Sequence, residues 1–308
     1  MKVLITGGCG FIGSNLVRLL EKESHEVSIL DNMTKGSISN LPSNFSGEII
    51  EADIRDLTAV QMASSNKDAI VHLAAFGSVV ESVNEPSENF SVNASGTFTL
   101  LEGARVSGIK KVIFASTGGA LIGNANPPVD ESSLPRPISP YGASKLAGEG
   151  YCCAFASAYD MNITALRFAN VLGPISLHKK GAVTSFFKAI HNESDIQIYG
   201  DGMATRDFLY VDDLCKGIYK GLISELDGFN VFHLASGREV TITELAKLAI
   251  ETTNTEEVRI VYKPKRAGEV ERNFAGYKLA KKKLDWEPTT SLEEALHKTW
   301  KWFEKEWS

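Results

Sequence analysis

The chain has 308 residues, enough for about two domains of ordinary size or one large one. Hydrophobic residues make up 43% and charged residues 23%, with 26 glycines and 10 prolines, values that exclude collagen-like, low-complexity and disordered chains. A net charge of −6 argues against nucleic acid as the main partner, because phosphate binding leans on a surplus of lysine and arginine.

In chain order, near-continuous apolar, β-branched-rich runs fall at residues 3–6, 27–30, 48–52, 69–73, 111–115 and 162–168. Runs of this kind suit parallel strands buried on both faces. Helix-length segments at 12–22, 88–106 and 141–159 separate several of them, so the first half predicts a parallel sheet with helices on both sides. After Pro174 the pattern loosens. Short strand-like pieces at 196–199, 231–234 and 258–262 mix with helices at 182–191, 212–223, 242–252 and 292–306. Thr241 with Glu244, and Ser291 with Glu294, fit the capping box of a helix start. This half reads as a smaller α/β domain packed over the C-terminal edge of the sheet.

No run approaches the roughly 18 apolar residues of a membrane span, so no membrane is expected as a partner. The first apolar stretch, residues 1–5, runs straight into a glycine-rich turn, unlike a signal peptide. Cys9, Cys152, Cys153 and Cys215 form no CxxC, and the adjacent pair cannot comfortably bridge, which suits a reducing cytoplasm. The six histidines (25, 72, 178, 191, 233 and 297) show no ligand spacing, so no metal site is expected. The basic pairs and triplets at 110–111 and 281–283 read as solvated helix faces or loops, since no aromatic platform accompanies them.

The segment from Thr6 through Gly7, Gly8, Cys9, Gly10, Phe11 and Ile12 to Gly13 is a strand end, a glycine turn and a helix start. Glycines permit the tight turn and close approach of backbone to a pyrophosphate, which then faces free N–H groups and the positive end of the helix dipole. Strand 27–30 ends in Asp31, close to the expected offset for a carboxylate on a ribose 2′-OH; it would repel a 2′-phosphate, favouring NAD over NADP. A P-loop is excluded, because Ser14 and Asn15 follow Gly13 in place of Lys-Ser/Thr. The fold implied is α/β, a Rossmann-type doubly wound parallel sheet with a second, smaller α/β substrate domain. The expected division gives 1–168 to the NAD-binding domain, with 208–232 returning to it, and 169–207 with 233–308 to the substrate domain.

Tyr141 and Lys145 lie one helical turn apart on one face. Beside an oxidised nicotinamide, two positive charges would lower the tyrosine from its reference of about 10 and make it a general base. A strand ending in Ser116-Thr117 and the segment Pro137-Ile138-Ser139-Pro140 precede this pair.

Together these residues resemble the extended short-chain dehydrogenase/reductase family, and within it the nucleotide-sugar epimerases and dehydratases, most of all the UDP-sugar 4-epimerases. The resemblance covers almost the whole chain: the glycine turn, Asp31-Asn32, Asp53-Ile54, His72-Leu73-Ala74-Ala75, Asn93, Tyr141 with Lys145, and residues 166–174, 206–213 and 266–269. It implies NAD contacts from Gly7, Gly10, Phe11, Ile12, Gly13, Asp31, Asn32, Asp53, Ile54, Leu73, Ala74, Ala75, Asn93, Tyr141 and Lys145. It implies UDP-sugar contacts from Ser78, Thr117, Tyr141, Asn170, Arg206 and Arg266, and a homodimer through helices 88–106 and 141–159. The two arginines also suit phosphate on physical grounds, since a guanidinium fork matches phosphate oxygens bidentately. Arg206 beside Asp207 also admits the plainer reading of a surface ion pair.

Three positions depart from the family pattern. Gly118 occupies the usual place of the catalytic serine or threonine, so the hydroxyl falls to Thr117, with Ser116 second. Ile122 replaces the usual tyrosine, and Glu269 the usual aspartate after Gly268. Family dehydratases and decarboxylases carry a carboxylate just after the catalytic threonine. Here Gly118, Gly119 and Ala120 follow Thr117, so the resemblance implies plain epimerisation. In that reaction C4 is transiently oxidised with tightly held NAD, and hydride returns to the opposite face of a 4-keto sugar. The alternatives are a dehydratase or decarboxylase of the same family and a catalytically silent NAD-binding regulator, against which Tyr141 and Lys145 weigh. A net dehydrogenase would need exchangeable cofactor and would usually tolerate NADP, which Asp31 disfavours.

Overall fold

β1 (Lys2–Thr6) shows why the chain folds in layers: Val3 and Ile5 enter one apolar core, and Leu4 between them enters another on the opposite face. The computed structural model describes residues 1–255, 258–266 and 270–307, so Ala267, Gly268 and Glu269 lie outside the described residues. After β1 come α1 (Phe11–Lys22), β2 (Glu26–Asp31), β3 (Ile49–Glu51), α2 (Leu57–Ser64), β4 (Ala69–His72), α3 (Val79–Asn84) and α4 (Pro86–Phe90). Then follow α5 (Gly96–Val106), β5 (Lys111–Thr117), α6 (Gly119–Ile122), α7 (Pro140–Tyr159) and β6 (Asn162–Phe168).

The remaining chain forms β7 (Asn170–Leu172), α8 (Ala182–His191), β8 (Ile196–Tyr199), β9 (Thr205–Arg206), β10 (Phe208–Tyr210), α9 (Val211–Ile223) and β11 (Phe229–Leu234). It closes with β12 (Val240–Thr241), α10 (Ile242–Thr253), β13 (Ile260–Lys263), α11 (Lys278–Leu284) and α12 (Leu292–Trp307).

Seven parallel strands form one sheet in the order β11-β6-β5-β4-β1-β2-β3. The direction of winding reverses between β1 and β4, and a crevice opens beside the C-terminal strand ends at such a switch point. Helices α1 and α9 cover one face of the sheet, and α2, α5 and α7 the other. β11 pairs with β6 along its full length, His233 against Arg167 and Leu234 against Phe168, so the strand belongs to the large sheet through Leu234. The pairs β7–β10, β9–β12 and β8–β13 lie beyond it, where Phe187 of α8 packs on Trp300 and Phe303 of α12.

The predicted helix at 88–106 is not one regular rod. A π-helical stretch, Ser91–Ser95, interrupts it and turns Asn93 inward, where it is buried. α2 and α3 escape a periodicity search because each is short, but both begin on a capping side chain, Asp56 and Ser78. Lys281, Lys282 and Lys283 form the exposed last turn of α11, the plainer of the readings expected for that run.

Candidate active site

The crevice at the switch point is a cleft of about 1330 Å³, room for more than one small ligand. Gly7 takes φ +71°, and a Cβ there would sit 2.8 Å from the Ala74 nitrogen. A Cβ on Gly13 would lie 2.2 Å from the Gly7 carbonyl oxygen, so only glycine closes this turn. α1 then begins at Phe11 with no side chain capping its first turn, leaving backbone N–H groups for an anion. Asp31 ends β2 with one carboxylate oxygen accepting from the Cys9 N–H and the other from the Met33 N–H, both at 2.9 Å. Asp53 is gripped by Arg55 through two side-chain bonds of 2.8 Å and takes a third from Asn32 at 3.0 Å. The Arg55 bonds hold its carboxyl down to about 2. Leu73, Ala74, Ala75 and Ile54 complete the wall. The uncapped helix start, the glycine cradle and a carboxylate at the end of β2 fit a dinucleotide.

Asn93 does not line this wall. Its oxygen accepts from the Phe76 N–H at 2.7 Å, and its amide donates to the Phe76 carbonyl at 3.2 Å and to Ser144 Oγ at 3.0 Å. It fixes the loop after β4 against α7.

α7 starts where its sequence dictates. Ser139 caps it by accepting from the Gly142 N–H at 3.2 Å, and Pro140 takes the first helical position, where no N–H is needed. Gly142 lets the first turn press on α6, since a Cβ there would meet the Ala120 carbonyl oxygen at 2.0 Å. This contact carries Tyr141 to the end of β5, where it lines the cleft with Thr117. Lys145, one turn on, is buried, donates to the Ala115 carbonyl at 2.8 Å and lies 5.0 Å from the Phe114 ring centre. Burial pushes the Tyr141 phenol up to about 12, which the Thr117 hydroxyl opposes, and pushes Lys145 down to about 8. The lowering expected for Tyr141 beside an oxidised nicotinamide is not supplied by this chain alone, in which burial of the phenol dominates. Ser116, adjacent to Thr117, donates instead to Glu149 Oε1 at 2.6 Å in the buried layer behind the cleft wall.

On the opposite wall stand Asn170, Arg206 and Arg266. Asn170, the first residue of β7, is exposed and donates to the Asp207 carbonyl at 3.3 Å. The Arg266 guanidinium stacks 3.4 Å over the Tyr199 ring. Asp207 is buried and spends its carboxylate on Ser236, Gly237 and the Ala275 N–H, a link inside the fold rather than at the surface. Ser78 caps α3 at the cleft rim by accepting from the Glu81 N–H at 3.2 Å. Ile122 is buried among Leu121, Val129 and Ala275, away from the cleft.

Sequence reasoning missed several cleft residues. Phe76 and Gly77 follow directly on Leu73-Ala74-Ala75, so extending that segment would have found them. Glu81 bridges Lys35 at 2.6 Å and Lys180 at 2.7 Å across the mouth, and Asn273 faces Gly119. These four come from distant parts of the chain and carry no motif.

Among the described residues no cluster of three or more histidine, cysteine, aspartate or glutamate side chains could hold a metal ion, and no helix is long and apolar enough to cross a membrane.

A dinucleotide cradle at the switch point beside a Tyr-x-x-x-Lys helix defines an NAD-dependent enzyme of the short-chain type. Residues 3–231 match the NAD dependent epimerase/dehydratase family, and the chain belongs to that family, with NAD as its cofactor. It is 34% identical over 311 residues to the UDP-glucose 4-epimerase of Mycolicibacterium smegmatis, covering 98% of each protein. Its fold matches the crystal structure of the UDP-glucose 4-epimerase of Thermotoga maritima with UDP-glucose at a TM-score of 0.95, with 38% identity and 100% of both chains covered. It also matches the UDP-N-acetylglucosamine 4-epimerase of Methanobrevibacter ruminantium in complex with UDP-N-acetylmuramic acid, at a TM-score of 0.92 and 33% identity over 99% of this chain and 98% of that one.

Proposed function

We propose that this chain is a UDP-hexose 4-epimerase. The observation that carries the reading is that Tyr141 and Thr117 line the same cleft at the end of β5, with Lys145 one turn behind Tyr141 and no carboxylate in the turn after Thr117. NAD, when bound, would supply reversible hydride transfer at C4 of the sugar. Tyr141 takes the proton of the 4′-hydroxyl, and Thr117 bridges that hydroxyl to the phenol. Lys145 contributes a positive charge beside Tyr141 that favours the phenolate. The glycine turn, Asp31, Asn32, Asp53, Ile54 and Leu73–Ala75 hold the dinucleotide. Arg206 and Arg266 take the diphosphate, with Asn170 and Ser78 on the same substrate. Holding the nucleotide by its diphosphate leaves the sugar free to turn over between the two hydride transfers.

We infer a homodimer through α4–α5 and α7, supported by the apolar side chains those helices leave exposed. A reducing, cytoplasmic setting is supported by the four cysteines, all of them free thiols.

The test is product analysis by NMR and mass spectrometry with UDP-glucose, UDP-N-acetylglucosamine and UDP-glucuronate. The expected product has unchanged mass and inverted C4, and Tyr141→Phe should lose about 10²–10⁴-fold in turnover with NAD still bound. A product lighter by water or carbon dioxide would overturn the reading in favour of the lyases.

A further inference from the structure

We propose that Lys179 binds a nucleotide diphosphate, that of NAD laid at the start of α1. This rests on NAD as the cofactor and on the glycine turn as its cradle, and not on which sugar is turned over.

Two neighbouring lysines between β7 and α8 are used differently. Lys180 is exposed, and its ammonium meets Glu81 Oε1 at 2.7 Å. Lys179 lines the cleft, where its ammonium donates to the Val171 carbonyl at 2.5 Å and stands 5.4 Å from the centre of the Phe11 ring. Phe11 is the first residue of α1, and Val171 follows Asn170 in β7, so this ammonium lies where the dinucleotide side of the cleft meets the substrate side. Hydrogen bonds hold the turn that carries it. The Lys179 N–H donates to the Ser176 carbonyl at 3.0 Å, which also accepts from Thr184 Oγ1 at 3.2 Å. Ser176 Oγ donates in turn to the Gly173 carbonyl at 2.7 Å, and both Ser176 and Thr184 are buried.

Among the described residues no carboxylate pairs with the Lys179 ammonium; its partners are a carbonyl and a ring, both uncharged. Burial without a counter-charge pushes it down to about 8. A desolvated cation of this kind needs an anion, and in a cleft shaped for nucleotides a ligand can bring one. The dinucleotide end is where a cation is short. The side chains that mark it are Asp31, Asn32 and Asp53, which are acidic or neutral. Arg55 is engaged by Asp53 and Glu88, and Lys35 by Glu81. The first turn of α1, Phe11 to Ser14, carries no basic residue, so its open N–H groups would face the two charges of a diphosphate with partial charges alone. The substrate wall already has Arg206 and Arg266.

The experiment uses the NAD-loaded protein as wild type, Lys179→Met and Lys188→Met. Bound NAD is chased with its fluorescent etheno analogue, and UDP and uridine are titrated by calorimetry. Methionine keeps an apolar stem and removes a desolvated charge, so Lys179→Met is expected to fold, as circular dichroism would show. In that variant NAD is expected to leave about 10-fold faster or more, the effect of losing a charge-assisted hydrogen bond to phosphate, with UDP and uridine binding unchanged. Lys188→Met removes an exposed charge from α8 and should release NAD as the wild type does. Unchanged NAD release in Lys179→Met, or an equal rise in Lys188→Met, would overturn the proposal. So would weaker UDP binding with NAD release and uridine unmoved, which would give the ammonium to the diphosphate of the substrate. A Lys179→Met chain that fails to fold would make the ammonium structural and overturn it too. None of these readings needs turnover, so a failure to invert C4 would remove the epimerase and leave them standing.

Discussion

Thr117 and Ser116 are neighbours with different partners. Thr117 lines the cleft with Tyr141, while Ser116 bonds Glu149 in the core. Their replacements should therefore fail in different ways. Thr117→Val is expected to lower kcat by about 10²-fold at near-wild-type stability, because it removes a group that bridges the reacting hydroxyl and the phenol. Ser116→Ala should cost about 1–3 kcal/mol of stability, the price of leaving a buried acceptor short of a donor, and lower kcat far less. Steady-state kinetics with urea unfolding separates the two outcomes; equal losses of kcat would contradict the assignment. That one of these hydroxyls matters was legible in the sequence. The sequence ranked Thr117 before Ser116; that Ser116 is tied to Glu149, 33 positions along the chain, shows only in the packed fold.

At the scale of elements, α7 does two jobs along its length. Its first turns present Tyr141 and Lys145 to the cleft. Farther on it displays Tyr151, 44% exposed, and Tyr159, 42% exposed, beside Phe98 of α5, 42% exposed, and Phe90 of α4, 65% exposed. Phe98 meets Tyr151 at 5.3 Å between ring centres, and Phe155 meets Tyr159 at 5.0 Å. An exposed aromatic face of this kind suits the proposed homodimer, in which two copies related by a twofold axis would bury it on itself. Phe98→Glu/Tyr151→Glu is expected to halve the mass seen by sedimentation velocity while the protein still binds NAD. A wild type that sediments as a monomer at micromolar concentration would sink the homodimer.

The whole molecule holds two histidines uncharged in its interior. His72, at the end of β4, is bonded between Thr6 Oγ1 at 2.7 Å and Thr97 Oγ1 at 3.1 Å. Burial pushes it down to about 3, and burial with the Arg167 charge takes His233 down to about 4. Both values lie below the unfolded reference of about 6.5, so the unfolded chain binds more protons below that pH. Their stabilising contribution is therefore complete above about pH 6.5 and is lost as pH falls toward 4, at up to about 1.4 kcal/mol per pH unit for each histidine. Urea unfolding at pH 7, 6 and 5 should show this slope, and His233→Asn should remove about half of it; an unchanged slope would contradict the assignment.

Local chemistry made much of this protein readable from its sequence. Strands buried on both faces are continuous apolar runs, the cradle needs glycines at fixed offsets, and a helix start needs Ser139 and Pro140 before Tyr141. Those signals are short-range, so the parallel sheet, the dinucleotide turn and the Tyr141–Lys145 pair could be found without coordinates. Tertiary structure alone decided what depends on distant residues meeting. Asn93 faces Phe76 and Ser144 rather than the cleft because a π-helical turn rotates it inward. Glu81 ties Lys35 to Lys180 across the mouth, and Glu149 takes the Ser116 hydroxyl. The charge states were decided in the same way, since Tyr141 is pushed up and Lys145 down by burial, a property of the packed fold that no spacing of residues encodes.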